Sequence, residues 1–297
     1  MRIDAHQHFW TLARGDYPWP NASVAPIFRD FGPKDLAPLI SVAGIDETVL
    51  VQATDTVAET EFLLKIATQT PWVAGVVGWV DLQADGAIEM IDYLRANPYL
   101  KGLRPMLQNI SETDWILNAA AQPALAHMAA QNLCFDALVQ PRHLPVILEL
   151  SQRHPNLKIV IDHIAKPTMG GGTMPARDWS RGMSQLAAQP NVYCKLSGLL
   201  TEVGPNWRSD DVAPFAAHVL NAFGASKVMF GSDWPVLSLA ATYSEWCALV
   251  EGYLAGFSPH ERSAIMGETA MHFYGLGDDA EGKKNDTTHG NGDRDPS

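Results

Sequence analysis

The sequence predicts a single-domain α/β protein that folds as a (β/α)8 TIM barrel. Its 297 residues contain eight short apolar runs that alternate with longer helix-like segments, which is typical of parallel βα units. Eight such units in about 275 residues suit this barrel, whose active site lies at the carboxyl ends of the strands. Polar residues gather at the ends of several runs, as that architecture requires. The apolar runs span residues 2–8, 48–53, 72–82, 101–107, 133–139, 158–164, 191–198 and 227–235.

The segments between the runs carry helix signals. In residues 55–69 the apolar side chains recur near helical spacing. Ser258 followed by Pro259 predicts an N-cap with proline at the first helical position. Residues 11–40 are rich in proline and tryptophan, and we expect them to form a long loop after the first strand, where substrate contacts are made.

The barrel is predicted to span residues 1–276 as one domain, because neither a repeat nor a Gly/Ser linker divides it. The remaining residues, 277–297, are polar and lack aromatic side chains. This composition predicts a disordered tail.

Composition and charge restrict the class of partner. The formal net charge is -12 at pH 7, whereas a nucleic-acid partner would favour a basic stripe, so we expect no nucleic-acid binding. The three widely spaced cysteines predict neither a disulfide framework nor a thiolate zinc cluster, and they favour a reducing compartment. The N-terminus lacks the apolar core of a signal peptide, and no run of 18 apolar residues predicts a membrane span. We therefore expect a cytoplasmic protein that acts on a small molecule, with its oligomeric state left open.

His6 and His8 lie two residues apart on the first predicted strand. Because side chains alternate along a strand, both imidazoles point to the same side. Two imidazoles inside a strand need a partner, so the pair indicates metal ligands or groups that bind substrate. Two hydrogen-bonded core histidines are the alternative.

Asp233 follows a short apolar run near the last predicted strand end. A carboxylate in this position must pair with another polar group or take part in the reaction, for example as a general base. An N-cap of the next helix is the alternative.

The sixth strand ends in Asp162 and His163. By alternation only one of the two faces the barrel interior, and the strand-end position favours His163, as a catalytic group or a ligand. A structural hydrogen bond is the alternative for His163. Lys166 follows shortly and is expected either to contact substrate or to be a solvated loop residue.

Two basic residues occupy strands of the predicted barrel. Lys195, in an apolar strand, must be paired, desolvated or reaching the pocket, so it either stabilises a developing oxyanion or pairs with Asp233. The planar fork of Arg104, at the fourth strand end, suits a carboxylate or a lactone carbonyl. An ion pair with Asp136 or Asp81 is the alternative for Arg104.

His143 lies beyond the fifth strand, beside Gln140 and Arg142, where a loop would contact a polyol. A purely structural loop or helix-start position is its alternative. The chain has no Gly-x-Ser-x-Gly elbow, phosphate loop or dinucleotide fingerprint, which excludes serine hydrolases and nucleotide-binding enzymes.

Five motifs, taken in order, resemble those of the amidohydrolase superfamily. Within it the chain is most similar to the amidohydrolase-2 branch and its sugar lactonases of the L-fuconolactonase and L-rhamnonolactonase type. The resemblance covers residues 2 to about 276 and implies a distorted barrel that hydrolyses a carboxylic ester or lactone. The motifs are residues 4–10 (DAHQHFW), 17–19 (YPW), 162–167 (DHIAKP), 195–198 (KLSG) and 230–235 (FGSDWP).

The resemblance also implies a metal site, since members of the superfamily hold one or two ions at the strand ends. The residues that match the superfamily's ligands are His6, His8, His163 and Asp233. The chain departs from the pattern twice, because the fifth strand offers Asp136 in place of a histidine and the fourth offers Arg104 in place of a bridging lysine. We therefore expect no binuclear centre; a single divalent ion such as zinc and a metal-free site both remain open.

The resulting hypothesis is hydrolysis of an aldonolactone, such as L-fucono-, L-rhamnono- or L-galactonolactone, to the open-chain acid. Asp233 is the expected general base for the attacking water, which His6 and His8 position with or without zinc. The groups expected to stabilise the oxyanion are Lys195, Arg104 and His163. The side chains expected to bind the sugar are Trp10, Tyr17, Trp19, His143 and Lys166.

Two rival functions come from different classes. A zinc-dependent decarboxylase of a small aromatic or dicarboxylic acid would release carbon dioxide instead of an acid from a lactone. A non-catalytic sugar- or metabolite-binding barrel would bind a ligand without turnover.

Overall fold

In the computed structural model, eight parallel strands form one sheet whose order follows the chain. The first and last strands lie next to each other, so the sheet nearly closes into a barrel and the predicted (β/α)8 fold is confirmed. The structure describes residues 1–277, and the predicted disorder of residues 278–297 lies outside that part of the chain. The strands are β1 (Ile3–Gln7), β2 (Glu47–Val51), β3 (Val73–Gly78), β4 (Leu100–Leu103), β5 (Cys134–Ala137), β6 (Ile159–Ile161), β7 (Val192–Leu196) and β8 (Val228–Phe230).

Helices connect the strands, and several begin at the residues that the sequence marks. The Ser258 hydroxyl accepts a hydrogen bond from the Glu261 amide at 3.3 Å, as the predicted N-cap requires. The helices of the described residues are α1 (Pro33–Ala43), α2 (Val57–Gln69), α3 (Ala87–Arg95), α4 (Gln122–Ala130), α5 (Leu144–Arg153), α6 (Arg177–Ala187), α7 (Leu199–Val203), α8 (Ser209–Phe223), α9 (Tyr243–Tyr253), α10 (Pro259–Ser263) and α11 (Thr269–Tyr274).

The predicted loop over residues 11–40 is wrong in its second part, because α1 begins at Pro33. Proline is favoured at a first helical position, where its missing amide hydrogen is not needed. The Asp35 carboxylate also accepts a hydrogen bond from the Gly32 amide at 3.0 Å, which satisfies one of the free donors at this helix start. The irregular segment between β1 and α1 therefore ends at Gly32.

Few backbone hydrogen bonds close the seam between β1 and β8. The Asp233 amide donates to the His6 carbonyl, and the His8 amide donates to the Trp234 carbonyl, each at 2.7 Å. Both bonds lie where the strands end, so the seam is tied together at the level of the predicted site.

The buried carboxylate of Asp4 adds side-chain hydrogen bonds across the same seam. Asp4 Oδ1 accepts from the Ser232 amide at 2.8 Å and from the His6 amide at 3.1 Å. Its Oδ2 accepts from the Ser232 hydroxyl at 2.6 Å and from the Tyr243 hydroxyl at 2.9 Å. Burial raises the pKa of the Asp4 carboxyl to about 6, although these hydrogen bonds oppose the rise.

The core has two parts. The larger part fills the space between the strands and the surrounding helices. The smaller part lies inside the barrel, where strand residues such as Ile3 and Val49 pack against Phe273 and Tyr274 of α11. Helix α11 thus plugs the amino-terminal end of the barrel, opposite the predicted site.

Within residues 1–277, no helix is long and apolar enough to cross a membrane. The three cysteines, Cys134, Cys194 and Cys247, are all buried and free.

Candidate active site

A cavity of about 460 Å³ opens at the carboxyl ends of the strands. Its walls come from the segments that directly follow β1, β2, β4, β5, β6 and β8, which is where barrel enzymes carry their active sites. This volume is typical of a site for a small organic ligand. The predicted site residues that line it are His8, Trp19, Arg104, His163, Lys166 and Asp233.

The imidazoles of His6 and His8 meet the Asp233 carboxylate at the cavity floor. Asp233 Oδ1 lies 3.2 Å from His8 Nε2 and 3.7 Å from His6 Nε2, and the two Nε2 atoms are 3.2 Å apart. The three groups come from the first strand and the last strand end, so the closing seam of the barrel brings them together.

Asp233 adopts an unusual backbone conformation, with φ of 60°. Left-handed geometry is uncommon outside glycine, but aspartate and asparagine tolerate it better than most residues. The preceding Ser232 is held by Asp4 on both its amide and its hydroxyl, and its hydroxyl oxygen accepts from the Trp234 amide at 3.0 Å. These bonds fix the turn that presents the Asp233 carboxylate to the histidines.

The expectation that only one of Asp162 and His163 faces inward is wrong. Strand β6 ends at Ile161, so the alternation of a strand no longer applies, and both side chains are buried in the site. The chain then takes four consecutive left-handed residues, from His163 to Lys166. The Trp179 indole supports this strained turn by donating to the Ile164 carbonyl at 2.9 Å.

Gly198, just after β7, makes room for the His163 ring. It has φ of +70°, and an added Cβ would lie 2.5 Å from His163 Nδ1. The neighbouring Ser197 hydroxyl is 2.9 Å from the same nitrogen and orients the ring. A side chain at position 198 would therefore displace the imidazole.

We expect Gly198→Ala to lower the free energy of unfolding by about 2–4 kcal/mol, because a left-handed alanine and a steric conflict add together. Gly15→Ala is the matched control, since Gly15 has φ of 75° but no atom within 4 Å of an added Cβ. Urea denaturation of both variants measures the difference. Equal losses in the two variants would show that the His163 ring adjusts without cost.

Lys195 is fully buried within β7, so its predicted direct contact with an oxyanion is not what the structure shows. Its ammonium lies 2.5 Å from Asp136 Oδ2, 3.0 Å from Asp162 Oδ1 and 3.2 Å from His6 Nδ1. The alternative pairing with Asp233 is wrong as well, because these two carboxylates take its charge. Lys195 thus lies beside the inner edge of His6, behind the cavity floor.

Arg104 reaches the cavity from the end of β4. Its Nη1 lies 3.2 Å from Asp162 Oδ2 and 3.4 Å from His6 Nε2, and its Nη2 donates to the Gln52 carbonyl. Asp162 is therefore its acidic partner, and the alternatives Asp136 and Asp81 are wrong. Held at both ends of its fork, the guanidinium presents a fixed positive group to the cavity.

Lys166 lines the cavity wall, and its ammonium lies 3.2 Å from Glu202 Oε1. Both side chains are partly exposed, so this pair contributes little to stability. Its position allows contact with a ligand.

Two of the three aromatic residues predicted to contact substrate point elsewhere. Trp10 is fully buried, donates from its indole to the Arg29 carbonyl at 2.7 Å, and supports the Trp19 ring at a centroid distance of 5.8 Å. Tyr17 is half-buried beside Glu59, and burial followed by the charge of Glu59 raises the pKa of its hydroxyl. Trp19 alone of the three forms part of the cavity wall.

His143 is also placed differently from the expectation of a substrate contact. It is a buried residue whose Nδ1 accepts a hydrogen bond from the Gln140 amide at 3.0 Å. This bond closes the turn before α5, so the structural alternative describes His143 better.

Electrostatics favour neutral imidazoles at His6 and His163 and an ionised carboxylate at Asp233. Burial lowers the pKa of His163 to about 4 against the opposing charge of Asp233. Burial and the charge of Lys195 lower the pKa of His6 well below its ordinary value. Burial alone would raise the pKa of the Asp233 carboxyl, but the imidazoles of His163, His8 and His6 hold it below its usual range. Around Asp233 the site therefore presents imidazole lone pairs and the negative charge of the carboxylate, with the positive charge of Arg104 beside them.

The chemistry of His8 indicates that a cation or a proton belongs between it and Asp233. His8 Nδ1 is 2.7 Å from the Val51 carbonyl, so the proton of a neutral ring lies on Nδ1. Its Nε2 then directs a lone pair at Asp233 Oδ1, only 3.2 Å away. Two facing acceptors repel each other unless a positive group separates them.

The distances fit one zinc ion. Ligand atoms on a tetrahedral zinc with bonds of about 2.0–2.1 Å lie about 3.3 Å apart, close to the separations within the group of His6, His8 and Asp233. Three protein ligands and an open position are the usual arrangement of catalytic zinc. His163 belongs to a second group, with His6 and Asp162, and its Nε2 is 3.8 Å from Asp233 Oδ1.

Sequence reasoning gave no site role to three buried carboxylates that organise the site: Asp4, Asp136 and Asp162. Each lies on or directly after a strand, among apolar neighbours. That signal, a charge in an apolar run, was the one that singled out Lys195 and Asp233, and it applies equally to these three.

The fold and the site together define a barrel hydrolase with a histidine–carboxylate centre at its strand ends. The chain belongs to the amidohydrolase family, whose model matches residues 3–276.

Individual relatives cover nearly the whole chain. An L-fucono-1,5-lactonase of Burkholderia ambifaria is 47% identical over 92% of this chain and 95% of its own length. An L-fucono-1,5-lactonase of Burkholderia multivorans is 38% identical over 95% of this chain and 99% of its own. A crystal structure of an amidohydrolase from Burkholderia multivorans with bound zinc is similar with a TM-score of 0.88 and 37% identity, over 93% of this chain and 99% of that one.

Proposed function

We propose that this protein hydrolyses a sugar-derived lactone, an aldonolactone of the L-fucono type, to the open-chain acid. The observation that carries the proposal is the meeting of Asp233, neutral imidazoles and Arg104 at the floor of one cavity. Two relatives that are L-fucono-1,5-lactonases support the substrate class, since this chain aligns with nearly their whole length.

The proposed reaction begins when Asp233 takes a proton from a water molecule that attacks the lactone carbonyl carbon. The guanidinium of Arg104 stabilises the negative charge that develops on the carbonyl oxygen. The bond from the carbonyl carbon to the ring oxygen then breaks, and Asp233 returns the proton to the leaving alkoxide. His8 and His163, which share the cavity floor with Asp233, orient the water and the carbonyl.

The walls of the cavity suit a sugar ring. Asp55, Gln108 and Asn109 line it, and within residues 1–277 their side chains have no hydrogen-bonded partner, so they can bind hydroxyl groups. Trp19 adds an aromatic surface for the apolar face of the ring. Lys166 completes this wall as a further donor.

We propose a single zinc ion as the resident metal, held by His6, His8 and Asp233. The solved relative with bound zinc supports this assignment, as do the ligand separations. A zinc ion held there would supply polarisation of the carbonyl and a lower pKa for the attacking water.

A pH-indicator assay over a panel of five- and six-membered aldonolactones tests the function. We expect acid release from an L-configured 1,5-lactone well above the spontaneous rate. Release of carbon dioxide from a small aromatic or dicarboxylic acid would support the decarboxylase instead. Saturable binding of lactones without turnover would support the binding barrel.

Removal of the metal gives a separate expected result. Elemental analysis should find about one zinc per chain, and a chelator should abolish turnover until zinc is restored. A His8→Ala variant should lose the zinc while keeping the barrel, as measured by circular dichroism. Full turnover by protein without metal would favour the metal-free site.

A further inference from the structure

Helix α11 contacts residues that support the site from the opposite end of the barrel. Tyr274, in α11, is buried in the barrel interior, and its hydroxyl donates to Asp136 Oδ2 at 2.7 Å. Asp136 lies on β5 and is fully buried. The bond therefore links the plug at the bottom of the barrel to a strand of the sheet.

Asp136 also contacts Lys195. The ammonium of Lys195 donates to the same oxygen, Asp136 Oδ2, at 2.5 Å, and it lies 5.6 Å from the centre of the Tyr274 ring. Two donors on one carboxylate oxygen, together with the aromatic face, restrict where the ammonium can lie.

Lys195 in turn contacts the His6 ring at Nδ1, behind the cavity floor. Its ammonium is 3.2 Å from His6 Nδ1 and 3.0 Å from Asp162 Oδ1, which itself lies 3.4 Å from that nitrogen. If Nε2 of a neutral His6 ring is to offer a lone pair, Nδ1 carries the proton and Asp162 Oδ1 is its acceptor. The ammonium of Lys195 lies against the same oxygen and so fixes where that acceptor lies and how the ring is turned. The opposite ring nitrogen, Nε2, faces Asp233.

We propose that Tyr274 and Asp136 are positioning residues for the site: they hold Lys195 against His6 and thereby fix the ring that faces Asp233. The inference rests on the proposed lactone hydrolysis. Neither residue contacts the substrate, because both are buried behind the cavity floor. Their effect on the reaction passes through Lys195.

Removing the Tyr274 hydroxyl separates positioning from packing. The Tyr274 ring belongs to the interior core with Phe273, and phenylalanine keeps that packing. Asp136 then holds Lys195 without its second donor, and the ammonium gains freedom to move toward the carboxylate. The ring of His6 loses part of its constraint.

We expect Tyr274→Phe to lower kcat about tenfold, because a small displacement of a reacting group costs rate, while KM stays within about twofold. Tyr193→Phe is the matched control. Tyr193 lies on β7, is half-buried, and packs on the ring of Phe273 in the same plug at a centroid distance of 4.8 Å. It should keep wild-type kcat and KM.

A double-mutant cycle tests the route. If Tyr274 acts through Asp136, adding Tyr274→Phe to Asp136→Asn should change kcat by less than about twofold. A purely structural role predicts a lower melting temperature for Tyr274→Phe with unchanged kcat well below that temperature, and this result would overturn the inference. Additive losses in the cycle would overturn the route through Asp136.

Wild-type protein separates this inference from the proposed function. No lactone turnover by wild-type protein would refute the function itself. Turnover by wild type with an unaffected Tyr274→Phe variant would refute only the positioning role. The binding constant for zinc, measured by competition with a chelator, adds a readout that does not depend on turnover, and Tyr274→Phe should weaken it about threefold or more.

Discussion

Asp233→Asn is expected to lower kcat for lactone hydrolysis about 10³-fold or more, because the amide cannot accept the proton of the attacking water. The fold should survive. Asparagine tolerates the left-handed backbone that Asp233 adopts, with φ of 60°, and has nearly the same volume. Steady-state kinetics on the active lactone and thermal unfolding measure the two effects separately.

The matched control for this variant is Asp92→Asn, on α3. Asp92 is exposed, and its carboxylate pairs with His127 on the protein surface. It should keep wild-type turnover, since exposed pairs of this kind contribute little. Near-normal turnover by Asp233→Asn would remove the general base from the mechanism.

Arg104→Lys is expected to lower kcat about 10²-fold while KM changes little, because the lost interaction belongs to the transition state. The guanidinium is held at both ends of its fork, by Asp162 and by the Gln52 carbonyl. A lysine keeps the charge but has a single ammonium, which cannot make both contacts and still face the carbonyl oxygen.

Arg153→Lys provides the matched control for Arg104. Arg153 pairs with Glu149 on the exposed face of α5, and we expect no change in kcat for its variant. If Arg104→Lys retained half of the wild-type kcat, the positive charge alone would account for its role and the planar geometry would not matter.

The barrel could be predicted because its strands are buried on both faces and so appear as continuous apolar runs. Each of the eight runs overlaps one observed strand. The ends were harder to place. Strand β6 covers only Ile159–Ile161 of a run predicted to reach residue 164, because the apolar composition continues into the left-handed turn that carries His163.

Ion-pair partners and aromatic contacts could not be predicted, because both depend on the path of the folded chain and not on a local pattern. Lys195 pairs with Asp136, 59 positions away, and no local pattern distinguishes this partner from Asp233. Trp10 and Trp19 come from the same aromatic segment, yet the first supports the second from within the core. Only the path of the loop between β1 and α1 decides which indole meets the cavity.

The closing seam between β1 and β8 has a consequence for how the protein is made. His8 and Asp233 are 225 positions apart, so the histidines leave the ribosome long before their carboxylate partner. At about 5–20 residues per second, that delay is on the order of 10–50 s. During this interval the nascent chain carries His6 and His8 without Asp233, and α11 has not yet been synthesised. The histidine–carboxylate centre is therefore complete only after Asp233 has been synthesised, and its support from α11 comes later still.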